Sequence, residues 1–341
     1  MNTRHASARG LVFGGLMAAL VVVFAIVPGL ALLMPLPLVV VFIRHGGRTA
    51  LLTAIVAVLM TGAFRGVVNA LMSIPAGVFP GLIFGYGLRH KWRPLTIGLG
   101  AVAVFFVGFA MTYVLMRVAV FPGRDPVEMM VASGPLAKAQ DEFYLALEQV
   151  TRAQPPRNEA EARNQEAYLQ LLREFREDKV AVAWALLPAL VFMGGALMSW
   201  INWQLCRWSL PRFGHPVPET APFEQFTLPV WLVWVYGLLM FATSYAMQTP
   251  TIVGAPWWTK LLLNLFTPLG YIFVLAGIAV AYGYLRKRNW SKAAAGWLLA
   301  ILFLLMFQLA FQLSILLAMW DTIFDFRGLG HGMWKRPEES T

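Results

Sequence analysis

Apolar runs separated by breaks of alternating charge constrain this chain more than any other feature of its sequence. Every second break is basic: Arg4/Arg9, Arg44/Arg48, Arg89/Lys91/Arg93, Arg207/Arg212 and Arg286/Lys287/Arg288/Lys292. The breaks between them carry little positive charge or are mixed. Cytoplasmic loops retain Lys and Arg, so the pattern predicts a multi-pass membrane protein with a cytoplasmic N-terminus. Only 13% of the 341 residues are charged and 59% are hydrophobic, against roughly a quarter charged in a soluble domain. The whole chain, rather than one anchor, therefore belongs in a bilayer. The net charge of +10 sits beside apolar spans, where membrane lipid rather than nucleic acid is the expected partner.

A helix needs roughly 20 apolar residues to cross a bilayer. Nine runs are candidates, at about 10–27, 30–43, 49–63, 67–88, 95–120, 180–205, 228–248, 260–285 and 293–319. The second and third are short, so eight spans is the alternative. Nine would place the C-terminus outside. The first run is expected to be a retained span rather than a cleaved signal, since Pro28 and a second apolar run follow at once. The predicted fold class is all-α: a polytopic transmembrane helical bundle of about 8–9 spans with one extracytoplasmic helical hairpin. Its expected parts are an N-terminal bundle (1–122), the hairpin (123–178), a C-terminal bundle (179–327) and a polar tail (328–341).

The acids support this division. Residues 1–123 contain no Asp or Glu, and 11 of the 17 acids fall between Asp125 and Asp178. In that segment Phe143, Leu147 and Val150 form one apolar stripe at helical spacing, and Tyr168, Leu171, Leu172 and Phe175 form another. Pro155-Pro156 divides the two arms, and Asn158 with Glu161 has the form of an N-cap pair. The hairpin reads equally well as a docking cap and as a spacer on the membrane surface.

The chemistry is defined mostly by exclusion. None of the five histidines lies in a predicted span, and no H-E-x-x-H, no P-loop and no nucleophile–base set is present. No catalytic residue, metal site or cofactor is expected, and the chain is not expected to be an enzyme. The single cysteine, Cys206, follows a predicted span and excludes an intrachain disulfide and a Cys-based metal cluster. No carboxylate lies clearly inside a span, which argues against a self-sufficient ion-coupled carrier.

What remains is a set of polar side chains near the predicted outer ends of spans: Arg65, Asn69, Arg117, Gln248, Lys260, Asn264, Gln308 and Gln312. Of these, Arg65, Asn69, Arg117, Asn264, Gln308 and Gln312 are candidates for lining a ligand cavity that favours an anionic solute. The competing reading is that the cations snorkel to headgroups while the amides bridge helices. Gly10, Gly14 and Ala18 follow a small-xxx-small spacing, which serves either internal packing or contact with a partner. The closing Asp321-x-x-x-Asp325-Phe326-Arg327 is expected to form a structural ion pair at a capped helix end, the alternatives being cation binding by the two carboxylates, a poor metal site without further ligands, and pairing with Arg65 or Arg117.

That closing motif resembles the YybS-like family of bacterial membrane proteins, a family without an assigned function. Gly46-Gly47 opening a short span, and Pro80-Gly81 ahead of Gly85 and Gly87, add to the resemblance. The N-terminal half is also similar to the S components of energy-coupling-factor transporters. Those are six-helix bundles that capture small molecules from outside and work with a T-type transmembrane subunit and separate ATPases. The resemblance implies a bacterial inner-membrane protein that binds a small-molecule solute at its outer side. It also implies a partner-contact role for Gly10, Gly14 and Ala18. The alternative is a membrane scaffold that docks envelope proteins through the hairpin.

Overall fold

The computed structural model describes residues 3–27, 29–133, 137–246 and 251–329, and among them every regular element is helical. Six segments are long and apolar enough to cross a membrane: Gly47–Arg65, Val67–Arg89, Pro94–Val120, Lys179–Phe213, Trp257–Lys287 and Phe307–Phe324. Four shorter apolar helices accompany them, at Gly10–Ile26, Ala31–His45, Val230–Ala246 and Lys292–Leu305. The protein is thus a polytopic helical bundle. It divides into two compact units, Met1–Phe143 with Lys179–Glu219, and Tyr144–Asp178 with Thr220–Thr341.

The first unit holds α1 (Thr3–Ile26), α2 (Pro35–His45), α3 (Gly47–Arg65), α4 (Val67–Ser73), α5 (Phe79–Arg89), α6 (Pro94–Leu115), a short α7 (Pro126–Ser133) and α10 (Lys179–Ser209). A π-helical turn, Ile74–Val78, joins α4 to α5, and a second one, Met116–Val120, extends α6. Counting α4–α5 as one segment, six apolar segments build this unit. Its centre is α2. This helix has only 11 residues, about 16 Å at 1.5 Å per residue. Such a segment is permitted in a bilayer where protein surrounds it, and Leu38, Val39 and Val41 are fully buried.

Between helices in lipid there is little hydrophobic drive, so association depends on close van der Waals packing. Glycines supply it here. Gly77, Gly81 and Gly85 recur every fourth residue and meet Met34, Leu38 and Phe42 of the α2 segment in the same order. Because both series ascend together, α2 and α5 run parallel, and both end in basic residues. Arg89 Nη1 donates to Phe42 O at 3.0 Å across that end, so Arg44, Arg48 and Arg89 share one end of the unit.

The second unit contains most of the hairpin and the remaining helices: α11 (Val230–Ala246), α12 (Trp257–Lys287), α13 (Lys292–Leu305) and α14 (Phe307–Phe324). Its core is built on Tyr236, which stacks on Phe273 at 4.6 Å and on Phe266 at 5.1 Å. Helices α12 and α14 touch so closely that a Cβ at Gly277 would strike the Ser314 carbonyl.

Here the expected topology needs correction. The ninth run, 293–319, is not one span: it breaks at Met306 (φ −130°, ψ 45°) into α13 and α14. No proline or glycine marks the break, so no residue type announces it. The chain therefore turns back once more. Lys287 Nζ, at the end of α12, donates to the backbone O of Arg327 at 3.0 Å. The residues after α14 thus lie at the same end as the basic Arg286–Lys292 break, not at the opposite one.

The hairpin arms are α8 (Ala137–Arg152) and α9 (Glu159–Glu177). Asn158 Oδ1 accepts from the Glu161 backbone N at 2.8 Å, and Glu161 Oε2 accepts from Arg157 N at 2.7 Å, which caps α9 reciprocally. The packed face of α8 differs from the predicted stripe. Phe143 and Val150 are 59% and 58% exposed, whereas Tyr144 sits 5.7 Å from Phe175 and Glu148 faces α9. Charge pairing, which apolar periodicity does not register, shifts the interface by one residue.

The glycine ladder yields a direct prediction. A Cβ at Gly81 would lie 2.9 Å from the rigid Pro35 carbonyl, so Gly81→Ala is expected to destabilise the protein by about 1–3 kcal/mol. Gly15 has nothing within 4 Å, and Gly15→Ala is expected to leave thermal unfolding in detergent unchanged or slightly raised, since alanine favours helix.

Candidate functional site

Three of the six candidate ligand residues belong to the first unit and gather at the end opposite its basic breaks. Arg65 ends α3, and its Nη1 donates to Ile26 O at 3.1 Å, closing the end of α1. Gly66 then breaks the helix with φ +84° and ψ 165°, a region nearly restricted to glycine. One turn on, Asn69 Nδ2 donates to Arg65 O at 2.7 Å, replacing an intrahelical bond that the break removes. Both side chains remain exposed.

Arg117 lies in the π-helical Met116–Val120 turn, which packs against α4, the helix that carries Asn69. Its Nη1 donates to the Tyr113 hydroxyl at 3.3 Å, Tyr113 meets Trp184 edge to face at 5.3 Å, and Trp184 Nε1 donates to Asp125 Oδ2 at 2.8 Å. Thr112 Oγ1 ties α6 to α4 by donating to Leu71 O at 3.1 Å. Two helix irregularities, the Gly66 break and the Met116–Val120 turn, thus meet a small polar group at one end. π-bulges are frequent at functional positions because each leaves backbone groups displaced from the regular ladder.

The other three candidates belong to the second unit. Asn264 Nδ2 donates to Lys260 O at 2.7 Å, and Lys260 Nζ donates to Val253 O at 2.9 Å. Gln308 and Gln312 are exposed on α14. Gln248 and the tail from residue 330 lie outside the described residues.

Glu174 was not among the expected site residues. It is 8% exposed, and its carboxylate accepts backbone N–H groups from Ile252, at 2.7 Å, and from Val253. It pins the segment leading into α12, with Lys260 holding the same turn from the other side. In an acid-rich amphipathic helix such a residue is indistinguishable from its solvated neighbours, because its partners are backbone groups without a sequence signature.

The small-residue stripe packs internally. A Cβ at Gly14 would meet Thr53 Oγ1 at 2.7 Å, a Cβ at Gly10 would meet His45 Nδ1 at 3.3 Å, and Ala18 is 2% exposed. Gly10, Gly14 and Ala18 let α1 approach α3 and the end of α2. Cys206 likewise lies within α10, in the core of the first unit, rather than after it.

The closing motif forms a staple. Arg327 Nη2 lies 2.6 Å from Asp321 Oδ2, with the two side chains 7% and 4% exposed. The remaining guanidinium donors reach Glu224 O at 2.6 Å and Phe226 O at 2.9 Å. Asp325 takes a left-handed φ of +48° to end α14, and its Oδ1 accepts from Leu329 N at 2.8 Å. Among the described residues the ion-pair partner of Asp321 is Arg327. No group of three or more His, Cys, Asp or Glu side chains suited to a metal is present among the described residues.

In the hairpin, Glu148 accepts from Arg152 at 2.7 Å, Arg176 at 3.1 Å and Arg173 at 3.5 Å. The hydrogen bond from Arg152 is the largest cause holding its carboxyl below the usual range; burial opposes it, and Arg173 and Arg176 add to it. A carboxyl lowered in the folded state stabilises above its ordinary pKa and loses that contribution as pH falls through the folded value. Amide protection factors in α8 and α9, corrected for the intrinsic exchange rate, are therefore expected to fall on acidification below the usual carboxylate range, and Glu148→Gln is expected to weaken that pH dependence. Breaking the buried staple should be costlier: Asp321→Ala is expected to lose about 3–5 kcal/mol in a denaturation experiment, because it leaves Arg327 buried without its counter-ion.

Comparison with known proteins adds the following. The family described as "Predicted membrane protein (DUF2232)" matches residues 15–322. The chain is 24% identical over 281 residues to "Uncharacterized protein YybS" of Bacillus subtilis (strain 168), covering 81% of this chain and 82% of that protein. No solved structure matches.

Proposed function

The chain belongs to the DUF2232 family of predicted membrane proteins, and from that premise we propose that its first unit is an S-component-like module that binds a small anionic solute. The observation that carries the reading is the six-segment first unit with Arg65, Asn69 and Arg117 gathered where its helices are interrupted. An exposed guanidinium near displaced backbone groups is suited to a carboxylate or phosphate. The retention of Lys and Arg in cytoplasmic loops supports a reading in which the N-terminus and the basic breaks lie on the cytoplasmic side of a bacterial inner membrane and the Arg65 end on the outer side. The protein supplies recognition rather than chemistry. It carries no P-loop, so the energy of any uptake belongs to a T-type transmembrane subunit with separate ATPases.

Thermal stabilisation of the purified protein by a panel of anionic vitamins and nucleobases tests the reading. At a ligand concentration of about 100 Kd the expected gain is roughly 2.7 kcal/mol, abolished by Arg65→Ala. No stabilisation across the panel, with Arg65→Ala indistinguishable from the parent, would remove its support.

A second reading, a scaffold that docks envelope proteins, draws on the hairpin. Its arms are locked by Glu148, by Tyr144 against Phe175, and by Gln165 Nε2 donating to the Thr151 and Gln154 carbonyls. Leu145, Val150 and Tyr168 remain exposed on it. Replacing these three with serine would abolish capture of an envelope protein under this reading and leave solute stabilisation untouched under the first.

A further inference from the structure

We propose that the basic end of the first unit holds an anionic phospholipid, with its headgroup phosphate on Arg48 and one acyl chain in the groove between α1 and α3. Two independent observations converge there.

The first is uncompensated charge. Arg44, Arg48, Arg89, Lys91, Arg93 and Arg212 belong to the basic breaks of this unit, while residues 1–123 contain no acid and Glu219 is the only acid of residues 179–219. The guanidiniums that are held in place are held by neutral groups. Arg89 donates to Phe42 O at 3.0 Å, Arg44 lies 5.7 Å from the Phe13 ring centroid, and Arg212 lies 4.1 Å from that of Trp208. Carbonyls and rings orient a cation without neutralising it. Arg48 makes no hydrogen bond or ion pair among the described residues and is exposed at the start of α3.

The second observation is a groove of about 100 Å³ beginning at this same end, walled by Leu11, Gly14 and Gly15 of α1 and by Leu52 and Val56 of α3. Thr49 and Thr53 complete the wall, but Thr53 Oγ1 donates to Thr49 O at 2.9 Å, so its hydroxyl is spent on its own helix. Gly15 faces open space. Arg48 stands one helical turn before Leu52 on the same face of α3, which sets a cation at the rim of an apolar channel. A phosphodiester with a hydrocarbon tail matches that pairing. A free phosphate would leave the channel empty, and an apolar helix would leave the cation unpaired. The proposal is independent of the solute reading, which concerns the opposite end.

The test is native mass spectrometry of the delipidated full chain in detergent, titrated separately with phosphatidylglycerol, phosphatidylcholine and glycerol 3-phosphate. Retention of phosphatidylglycerol alone is expected. Arg48→Gln should weaken it about fivefold, the change expected for one cation at an anionic surface. Gly15→Leu places a side chain into the groove from a position where a Cβ meets nothing within 4 Å, and should remove the bound lipid while the melting temperature in detergent stays at the parent value. Equal retention of phosphatidylcholine, binding of glycerol 3-phosphate as tight as that of the lipid, or unchanged retention by Gly15→Leu would each overturn the proposal. So would a second membrane protein that co-purifies with the parent and is lost from Gly15→Leu.

Discussion

The close approach of α2 to α5 is the contact on which the first unit depends. An 11-residue helix cannot satisfy a bilayer by length, and lipid offers it no hydrophobic reward for leaving. It must be enclosed by neighbours whose atoms replace lipid at shorter distance. Gly77, in the Ile74–Val78 turn, with Gly81 and Gly85 of α5, permits this by removing three side chains in register along one face. With α2 sealed, α3 can pack on α1 through Gly10, Gly14 and Ala18, and α6 can join α5 and α10. The packing also explains the two breaks around α3. Gly46 and Gly66 both adopt φ above +80° with extended ψ, so consecutive helices can be joined there with hardly any loop.

Charge is handled differently in different parts of the protein. In the hairpin, carboxylates neutralise cations: Glu148 gathers three arginines and Asp141 receives Lys179 at 3.1 Å. At the basic end of the first unit, cations are oriented by carbonyls and rings and remain charged. The second unit uses a third arrangement, in which Arg327 and Asp321 leave water together and the remaining guanidinium donors satisfy backbone carbonyls. Burying an ion pair is tolerable only when every donor finds a partner. This geometry meets that condition and fastens the end of α14 to the turn before α11.

The sequence made the all-helical membrane class, the hairpin and the cap at Asn158 legible, because each rests on local composition or spacing. The α13–α14 break was not legible. It falls at Met306 inside an uninterrupted apolar run, and only the competition for space around α12 distinguishes one long helix from two. The inward role of Gly14 was open for a similar reason: a small-xxx-small stripe is the same pattern whether a neighbour in the same chain or another chain covers it. Arg65 and Asn69 were legible as a pair because they flank the same break. Glu174 was hidden by partners that are backbone groups.

The extra turn at Met306 changes what the C-terminal motif can mean. Were α13 and α14 one span, Asp321 and Arg327 would emerge opposite the basic break after α12. The contact from Lys287 to Arg327 O returns them to the basic end. Helix α13, with 14 residues, is about 21 Å long against a hydrocarbon core of about 30 Å. Such mismatch costs only fractions of a kcal/mol per Å because helix and bilayer adjust to each other. A short return helix is therefore affordable where a misplaced buried charge is not. The motif then reads as the clasp that fixes the second unit after this return.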